Sequence, residues 1–502
     1  MYELVKPPDN TQILPGKWVF DVKSDSEGAI QEYRTRWVVC GNFQDKKNSE
    51  RSAPVANETS VKIFLTKVAT ENMELRQIDI VSAYLHAALK DRLIYMKQPT
   101  GFEEGDTGDV WQLNQALYGL RESAFLWYKT FDEKIQKMGF RPLQEDPCVY
   151  QRKSDGCMLI IYVDDALIAA KSQYLIDQII EDLRGTFGVK DLGEPKKFLG
   201  CTITRDRAKK TITLSQQSYV METLAKFGMD FCRGYDIPMN PGWRAQTNLP
   251  GDADLDRTEN FQSITGSLNW LAIKTRPDIQ LATSKLQRQT CAPSVADLQT
   301  SKALLRYLKS HSNYGITLSK DPARGIELYT DAAHQDNPDG KSTEAHILMF
   351  HGAPIAWSSK KQSIMAPSST IAEFCAYDTA IKQGIWIRKL LAAFELHDGV
   401  SPIPLYTDSA NGIIIAKSKT INNSVRWLDN RFFFIRDIYT NGDMNLEKID
   451  GHANPADGLT KALHKDKFEA FQRLIGMEIL HEDKEQVKDT EKEKTCDGGL
   501  KL

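Results

Sequence analysis

Met158-Leu159-Ile160-Ile161-Tyr162-Val163-Asp164-Asp165-Ala166-Leu167-Ile168-Ala169-Ala170 sets two adjacent carboxylates between two apolar runs. Short apolar runs around a polar dipeptide predict a tight β-hairpin, Met158 to Val163 and Ala166 to Ala170, with Asp164 and Asp165 at its tip. A single Asp after a strand is usually a turn former, and an isolated Asp-Asp pair is usually surface decoration. Strands this apolar are buried, however, and a buried hairpin with an acidic tip needs a counter-ion. Upstream, Leu75 to Ile80 reads as a short strand ending in Asp79. Three carboxylates at strand ends can bind two Mg²⁺ ions, because hard cations prefer carboxylate oxygens. Such a pair clamps the attacking and leaving oxygens of a phosphoryl transfer.

Working outward, Lys17 to Phe43 predicts a hairpin, with Trp18-Val19-Phe20 and Trp37-Val38-Val39 around a turn near Ser26-Glu27-Gly28. Val61 to Thr70 reads as a helix. Glu122 to Met138 reads as another, with Phe125, Tyr128, Phe131 and Ile135 on one face and Gly139 as its stop. A helix over 173–184 and a hairpin from Phe198 to Thr204 and Lys210 to Leu214 follow. Asp236 to Arg257, rich in Pro and Gly, is a linker. Residues 260–312 read as helices, and a second α+β unit runs from about Gly325 to Met477. No internal repeat is visible.

A chain of 502 residues should hold about three domains. Its 41% hydrophobic and 26% charged residues exclude a mainly disordered chain. A net charge of −3 gives no global basic signature, so any nucleic-acid contact must rest on local positive charge. Eight scattered cysteines without a C-x-x-C pair read as reduced thiols rather than disulfides or a zinc site. Pro7-Pro8-Asp9 stands where a signal peptide needs an apolar core, and no apolar run reaches the roughly 18 residues of a membrane span. The expectation is a soluble protein inside a cell, without membrane partners and of undetermined oligomeric state.

The C-terminal unit offers a second acidic set. Asp331 follows Glu327-Leu328-Tyr329-Thr330, Asp408 follows Pro404-Leu405-Tyr406-Thr407, Glu373 opens a helix, and Asp457 lies in Asn454-Pro455-Ala456-Asp457. Thr370 to Glu373 has capping-box spacing, so Glu373 has two readings, a helix cap or a ligand. Four such carboxylates can converge on a metal pair that activates water for strand hydrolysis.

Several stretches carry a family resemblance. Tyr162-Val163-Asp164-Asp165 resembles the Y-x-D-D box of reverse transcriptases, and Gln77 to Leu85 resembles the other palm carboxylate motif. Leu117-Tyr118-Gly119-Leu120, Trp127-Tyr128 and Phe198-Leu199-Gly200 follow in the order of copia-type LTR retrotransposon Pol polyproteins. Tyr329 to Ala332, Trp357 to Gln362, Ser368 to Phe374, Tyr406 to Ser409 and Ala456 to Lys461 resemble the RNase H domain of the same family. The resemblance covers nearly the whole chain. It implies a multidomain α+β and α/β protein, a right-hand polymerase of fingers, palm and thumb over 1–235 and a linker over 236–258. A helical connection over 259–324, an RNase H-like domain over 325–477 and a charged tail over 478–502 complete it.

The resemblance further implies that Asp79, Asp164 and Asp165 hold Mg²⁺ or Mn²⁺ for nucleotide addition, and that Asp331, Glu373, Asp408 and Asp457 do so for hybrid cleavage. Tyr84 matches a steric gate against the ribose 2′-OH, or is ordinary core packing. Arg34 and Arg36 match basic positions for the incoming triphosphate, or are solvated, and Tyr118 and Gly119 join the substrate-binding residues. RNA template, DNA primer, RNA/DNA hybrid and dNTPs are the implied partners, in the cytoplasm, in particles, or in the nucleus. Lys274, Arg276, Lys285, Arg288, Lys302, Arg306 and Lys309 either track phosphates or form the solvated faces of helices.

The chain also departs from the family. Glu122-Ser123-Ala124-Phe125 stands where Gln-Ala-Pro-Arg is common, the segment between Phe43 and Ala53 is short, and Arg426-Trp427-Leu428 replaces Lys-His-Ile. His452 is a candidate substitute for that missing histidine. Nucleocapsid knuckle, protease and integrase motifs are absent, as expected of a processed product or a truncated copy. The leading expectation is an RNA-directed DNA polymerase with RNase H; the rival is a non-catalytic nucleic-acid-binding remnant.

Overall fold

The apolar runs around the Asp-Asp pair form the antiparallel strands Cys157–Tyr162 and Asp165–Ala170. Leu159, Ile160, Leu167 and Ile168 are fully buried. Side chains alternate between faces along a strand, so burial at successive positions means that both faces are covered, which is why the runs are continuous rather than alternating. The two strands sit inside a six-stranded antiparallel sheet. Its order is Val189–Gly193, Glu74–Ile80, Asp165–Ala170, Cys157–Tyr162, Val149–Arg152 and Arg141–Pro142.

The structure is a computed structural model that describes residues 1–24, 30–45, 52–89, 92–244, 255–418 and 429–480. The chain divides into two compact units, Met1–Phe64 with Asn72–Pro195, and Leu65–Glu71 with Lys196–Leu502. The expected turn at Ser26-Glu27-Gly28, the triplet Arg426-Trp427-Leu428 and most of the charged tail lie outside the described residues.

In the first unit the helix Ser123–Lys137 buries Ser123, Trp127, Phe131 and Ile135, an i, i+4 stripe. The expected face, Phe125 with Tyr128, is half-buried instead. The indole of Trp127 takes the core position and packs 5.3 Å from the Phe187 ring, which rotates the stripe. The strands Gly16–Ser24 and Ile30–Val39 form the expected hairpin, with Trp18 opposite Trp37. A four-stranded sheet of Tyr2–Val5, Val110–Leu113, Ile94–Met96 and Ile13–Leu14 completes the unit.

The second unit holds two five-stranded sheets. One is mixed, in the order Ala353–Lys361, Thr343–Phe350, Ile326–Ala333, Ile403–Thr407 and Met444–Lys448, its last two strands running parallel to Ile326–Ala333. The helix Ser369–Ala393 packs on it. The other joins Lys197–Phe198, Cys201–Asp206, Thr211–Ser215, Tyr314–Leu318 and Met477–Ile479. The stretch 259–324, expected to be helical, thus also contributes a strand. A hairpin leaves its edges unpaired, and Tyr314–Leu318 covers one of them.

The helices Leu255–Lys274, Gln280–Gln287 and Val295–Ser310 also change the reading of the basic residues. Arg276 is buried and pairs with Asp278 at 2.9 and 2.8 Å, while the Tyr307 hydroxyl donates to the same carboxylate at 2.5 Å. Lys285 binds Asp336, Arg288 donates to Asn337 and Thr343, and Arg306 and Lys309 donate to backbone carbonyls. Lys274 is buried over the Trp270 ring. Of the seven, Lys302 remains exposed. The others hold the helices in place rather than offering a phosphate track. Among the described residues no helix is long and apolar enough to cross a membrane.

His346, on the strand Thr343–Phe350, is buried, and burial together with the Lys360 ammonium pushes its pKa down to about 4. An unfolded histidine titrates near 6.5, so the unfolded chain takes up this proton first. The stability it contributes is complete above that pH and is lost as pH falls towards 4, at most about 3 kcal/mol. Between pH 7 and pH 4.5 the urea midpoint should therefore fall more for the parent than for His346→Gln. Equal falls would remove His346 as the source.

Candidate functional site

The register of the central strands decides the first site. Asp165 pairs directly with Asp79, and the Ile80 amide donates to the Asp164 carbonyl at 2.9 Å. Residues opposite each other in an antiparallel pair project from the same face, with Cβ atoms about 5 Å apart. Tyr162 pairs with Asp165, so the tip consists of Val163 and Asp164, and Asp165 is already in the strand rather than at the tip. Val163 takes a φ of 60°. That conformation suits glycine, and holding a β-branched residue there costs about 1–3 kcal/mol. The buried Trp127 offsets it, its indole N–H donating to the Val163 carbonyl at 2.7 Å.

Burial raises the Asp164 pKa, and the Asp79 charge adds to the rise; its own backbone hydrogen bond, Arg36 and Arg34 oppose it. Tyr84 and Tyr118 are raised by burial and then by the Asp164 charge, and their rings lie 4.5 Å apart. The Arg36 guanidinium stands 5.7 Å from the Tyr118 ring centroid. Asp79, Tyr84, Tyr118, Arg34 and Arg36 are thus all within electrostatic reach of Asp164. Gly119 fixes this arrangement. Its φ is +96°, and a Cβ there would sit 1.9 Å from the Val39 carbonyl oxygen, so the loop can cross the Ile30–Val39 strand only without a side chain. The Val39 amide donates to the Tyr118 carbonyl at 2.8 Å across the same crossing.

Glu122, one of the departures, is buried and accepts from the Gln44 side-chain amide at 2.9 and 2.8 Å. Ser123 donates to the Leu117 carbonyl at 2.6 Å. Both residues are structural ties. Trp127 was part of a recognised motif, yet its sequence spacing gave no sign of the bond to the turn, because its partner is a backbone carbonyl. A cavity of about 320 Å³ opens beside the turn, walled by Tyr84, Trp127, Tyr128, Ile161 and Val163.

The second site is tighter. Asp331, Glu373 and Asp408 bring one carboxylate oxygen each within 4.8 Å of one another. Tyr329 pairs with Tyr406 across the parallel strands, so Asp331 and Asp408, two residues further along each strand, come side by side. Glu373 reaches in from the helix Ser369–Ala393. That helix is capped by Ser368, which accepts from the Ile371 amide, so Glu373 is not the cap. Its Oε1 accepts from the Ala332 amide at 3.1 Å.

Asp331 Oδ2 is bonded by the Thr460 hydroxyl and lies 3.4 Å from Lys461 Nζ. Asp331 Oδ1 and Glu373 Oε2 are buried without a partner among the described residues. Burial pushes both carboxyls up, and the neighbouring Asp331 and Asp408 charges help to carry Glu373 to about 9. Buried polar oxygens rarely go unpaired. Two such oxygens beside a third carboxylate suit a hard divalent cation. Asp457 is outside this trio. Its Oδ1 is bonded by Lys461 at 2.5 Å. Burial alone would lower the Lys461 pKa, but Asp331 and then Asp457 hold the ammonium well above its usual value. His452 is exposed on a turn.

Residues 1–241 match the reverse transcriptase (RNA-dependent DNA polymerase) family. The putative transposon Ty5-1 protein of Saccharomyces cerevisiae is 32% identical over 305 residues, 59% of this chain and 97% of that protein. The chain belongs to the copia-type retrotransposon Pol family. Within that family, the Pol polyprotein of transposon TNT 1-94 from Nicotiana tabacum is 32% identical over 490 residues, 95% of this chain and 36% of that protein. The RE1 polyprotein from Arabidopsis thaliana is 31% identical over 483 residues, 95% and 32%. The chain spans about a third of the length of these two Pol relatives. A foamy viral protease-reverse transcriptase, solved in complex with double-stranded DNA, shares the fold. Its TM-score is 0.52 at 14% identity, covering 89% of this chain and 67% of that one.

Trp127→Phe keeps a ring in the core but leaves the Val163 carbonyl unmatched, and should cost about 1–2 kcal/mol in urea unfolding. Adding Val163→Gly, which adopts the positive φ freely, should recover part of the loss. An unchanged midpoint for Trp127→Phe would show that the turn needs no such tie.

Proposed function

We propose that this Pol segment is an RNA-directed DNA polymerase joined to a ribonuclease H. In this reading residues 1–235 form fingers, palm and thumb, and 325–477 form the nuclease. The observation that carries the polymerase reading is the register that sets Asp79 opposite Asp165, with Asp164 on the clamped turn between Tyr84, Tyr118 and Arg36. RNA template, DNA primer and dNTPs are the substrates, and the setting is inside the cell, where unpaired cysteines persist.

Asp79, Asp164 and Asp165 would hold Mg²⁺ or Mn²⁺, a fit supported by hard oxygen donors and by the negative charge that Asp79 adds at Asp164. When bound, the ions neutralise the triphosphate and lower the pKa of the primer 3′-OH. Arg36 and Arg34, whose charges act on Asp164, would meet the triphosphate oxygens in this reading, with Arg34 released from its bond to Glu32. Tyr84, in the wall of the cavity beside the turn, would meet the sugar in this reading. Trp127 keeps Asp164 in position through the Val163 carbonyl. At the second site Asp331 Oδ1, Glu373 Oε2 and Asp408 would hold the cation, with Asp457 at its edge, and the substrate is the RNA strand of an RNA/DNA hybrid.

In primer extension on an RNA template with Mg²⁺, Asp164→Asn/Asp165→Asn should cut incorporation by roughly a hundredfold or more. Equal incorporation by both proteins, or none by either, leaves the non-catalytic binder as the reading. Cleavage of a labelled RNA/DNA hybrid should fall comparably in Asp331→Asn. A mutant that cuts as well as the parent would remove the nuclease assignment.

A further inference from the structure

Beside the second acidic site, the segment 450–464 and the helix Lys465–Leu474 enclose a recess of about 450 Å³. Its floor is apolar. Phe471 is buried beneath Gly458, where a Cβ would sit 2.4 Å from the ring, so the chain can rest on that ring only without a side chain. Leu463 and Leu474 continue the apolar surface outwards. The lip of the recess runs along the carboxylates. A Cβ on Gly451 would stand 3.2 Å from Asp408 Oδ2, and Asp457 is part of the wall.

The polar groups of the wall divide into those the protein uses and those it does not. Asp450 accepts from the His452 amide at 3.0 Å, the Asn454 side-chain amide donates to the Thr330 carbonyl at 3.0 Å, and Asp457 and Lys461 bond each other. On the helix, Lys465 pairs with Asp236 at 2.8 Å. His452, His464 and Lys467 are exposed, and none of their side chains has a partner among the described residues. His464 and Lys467 are three apart, a spacing that brings side chains to one face of a helix. All three groups are donors, because an imidazole keeps an N–H in either charge state and an ammonium carries three. Donors around an apolar floor suit an anion rich in oxygen and bonded to carbon.

We propose that this recess takes one sugar–phosphate unit of the RNA strand, next to the linkage cut at the acidic site. Lys467, His464 and His452 meet the phosphate oxygens, and Leu463 and Leu474 carry the C–H face of the sugar. This inference rests on the nuclease reading above and deepens it. A strand that presents a linkage to Asp408 and Asp457 continues along the lip at Gly451, so its neighbouring unit enters the recess. Carboxylates alone repel a polyanion, and unpaired donors beside them restore attraction where the strand must lie. Phosphate contacts fix register without reading sequence, so the recess sets which linkage stands over the carboxylates.

The test is cleavage of a short labelled RNA/DNA hybrid by the full chain, followed over a range of salt concentrations. Lys467→Gln should raise KM by roughly fivefold to tenfold, leave kcat within about twofold, and reduce the slope of log kcat/KM against log salt by about one. Lys467→Arg should keep the parent values. His464→Ala and His452→Ala should each raise KM by about twofold to threefold, without the fall in kcat that a misfolded fraction produces. Hybrids with a single methylphosphonate linkage locate the contact. A neutral linkage beside the cut in the RNA strand should leave parent and Lys467→Gln alike. An unchanged KM and slope in Lys467→Gln, a loss confined to kcat, or parity reached only with a neutral linkage in the DNA strand overturns the role of the recess. Asp331→Asn that cuts as well as the parent, or a parent that does not cut, overturns the nuclease reading and this inference with it, so the two failures are distinguishable.

Discussion

Pairing of the Glu74–Ile80 strand with Asp165–Ala170 is the constraint on which the first unit depends. Because side chains along a strand alternate, a slip of one residue would send Asp79 to the opposite face from Asp165 and turn the apolar runs out of register with their neighbours. Burial of the strands on both faces fixes the register, and the register brings the carboxylates together. The negative charge so assembled is then held by elements that do not touch it directly. Trp127 holds the turn, and the glycine crossing at Gly119 holds Tyr118 beside Arg36.

The two acidic sites manage charge differently. Around Asp164 the compensation comes from arginines on a hairpin and from a half-buried setting. Asp331 and Glu373 are almost wholly removed from water, and each gives one oxygen to a protein partner while the other has none among the described residues. A buried charge without a counter-charge is expensive, so this division prepares the site for a cation while limiting where one can stand.

Much of this was legible in the sequence because it follows from local pattern. Apolar runs marked the central hairpin, and residue types at strand ends marked both acidic sets. What the pattern missed depends on which partner each residue finds once the chain is folded. The helix Ser123–Lys137 is rotated because Phe187 receives the Trp127 ring. Arg276 reads as a surface base until Asp278 and Tyr307 enclose it. Glu373 has capping-box spacing, yet Ser368 is the cap and the Ala332 amide claims the glutamate. Tyr314–Leu318 was hidden at the end of a helical stretch, since its strand character comes from the neighbours it pairs with.

The sheet that joins Thr211–Ser215, Tyr314–Leu318 and Met477–Ile479 has a kinetic meaning. Its strands are drawn from distant parts of the chain, and the loops that must close before they meet are long, which slows formation. On a ribosome the strand Tyr314–Leu318 waits with an open edge until Met477–Ile479 emerges. The second unit therefore reaches its final form only after that strand has been made, and during that interval the open edge is exposed to mispairing.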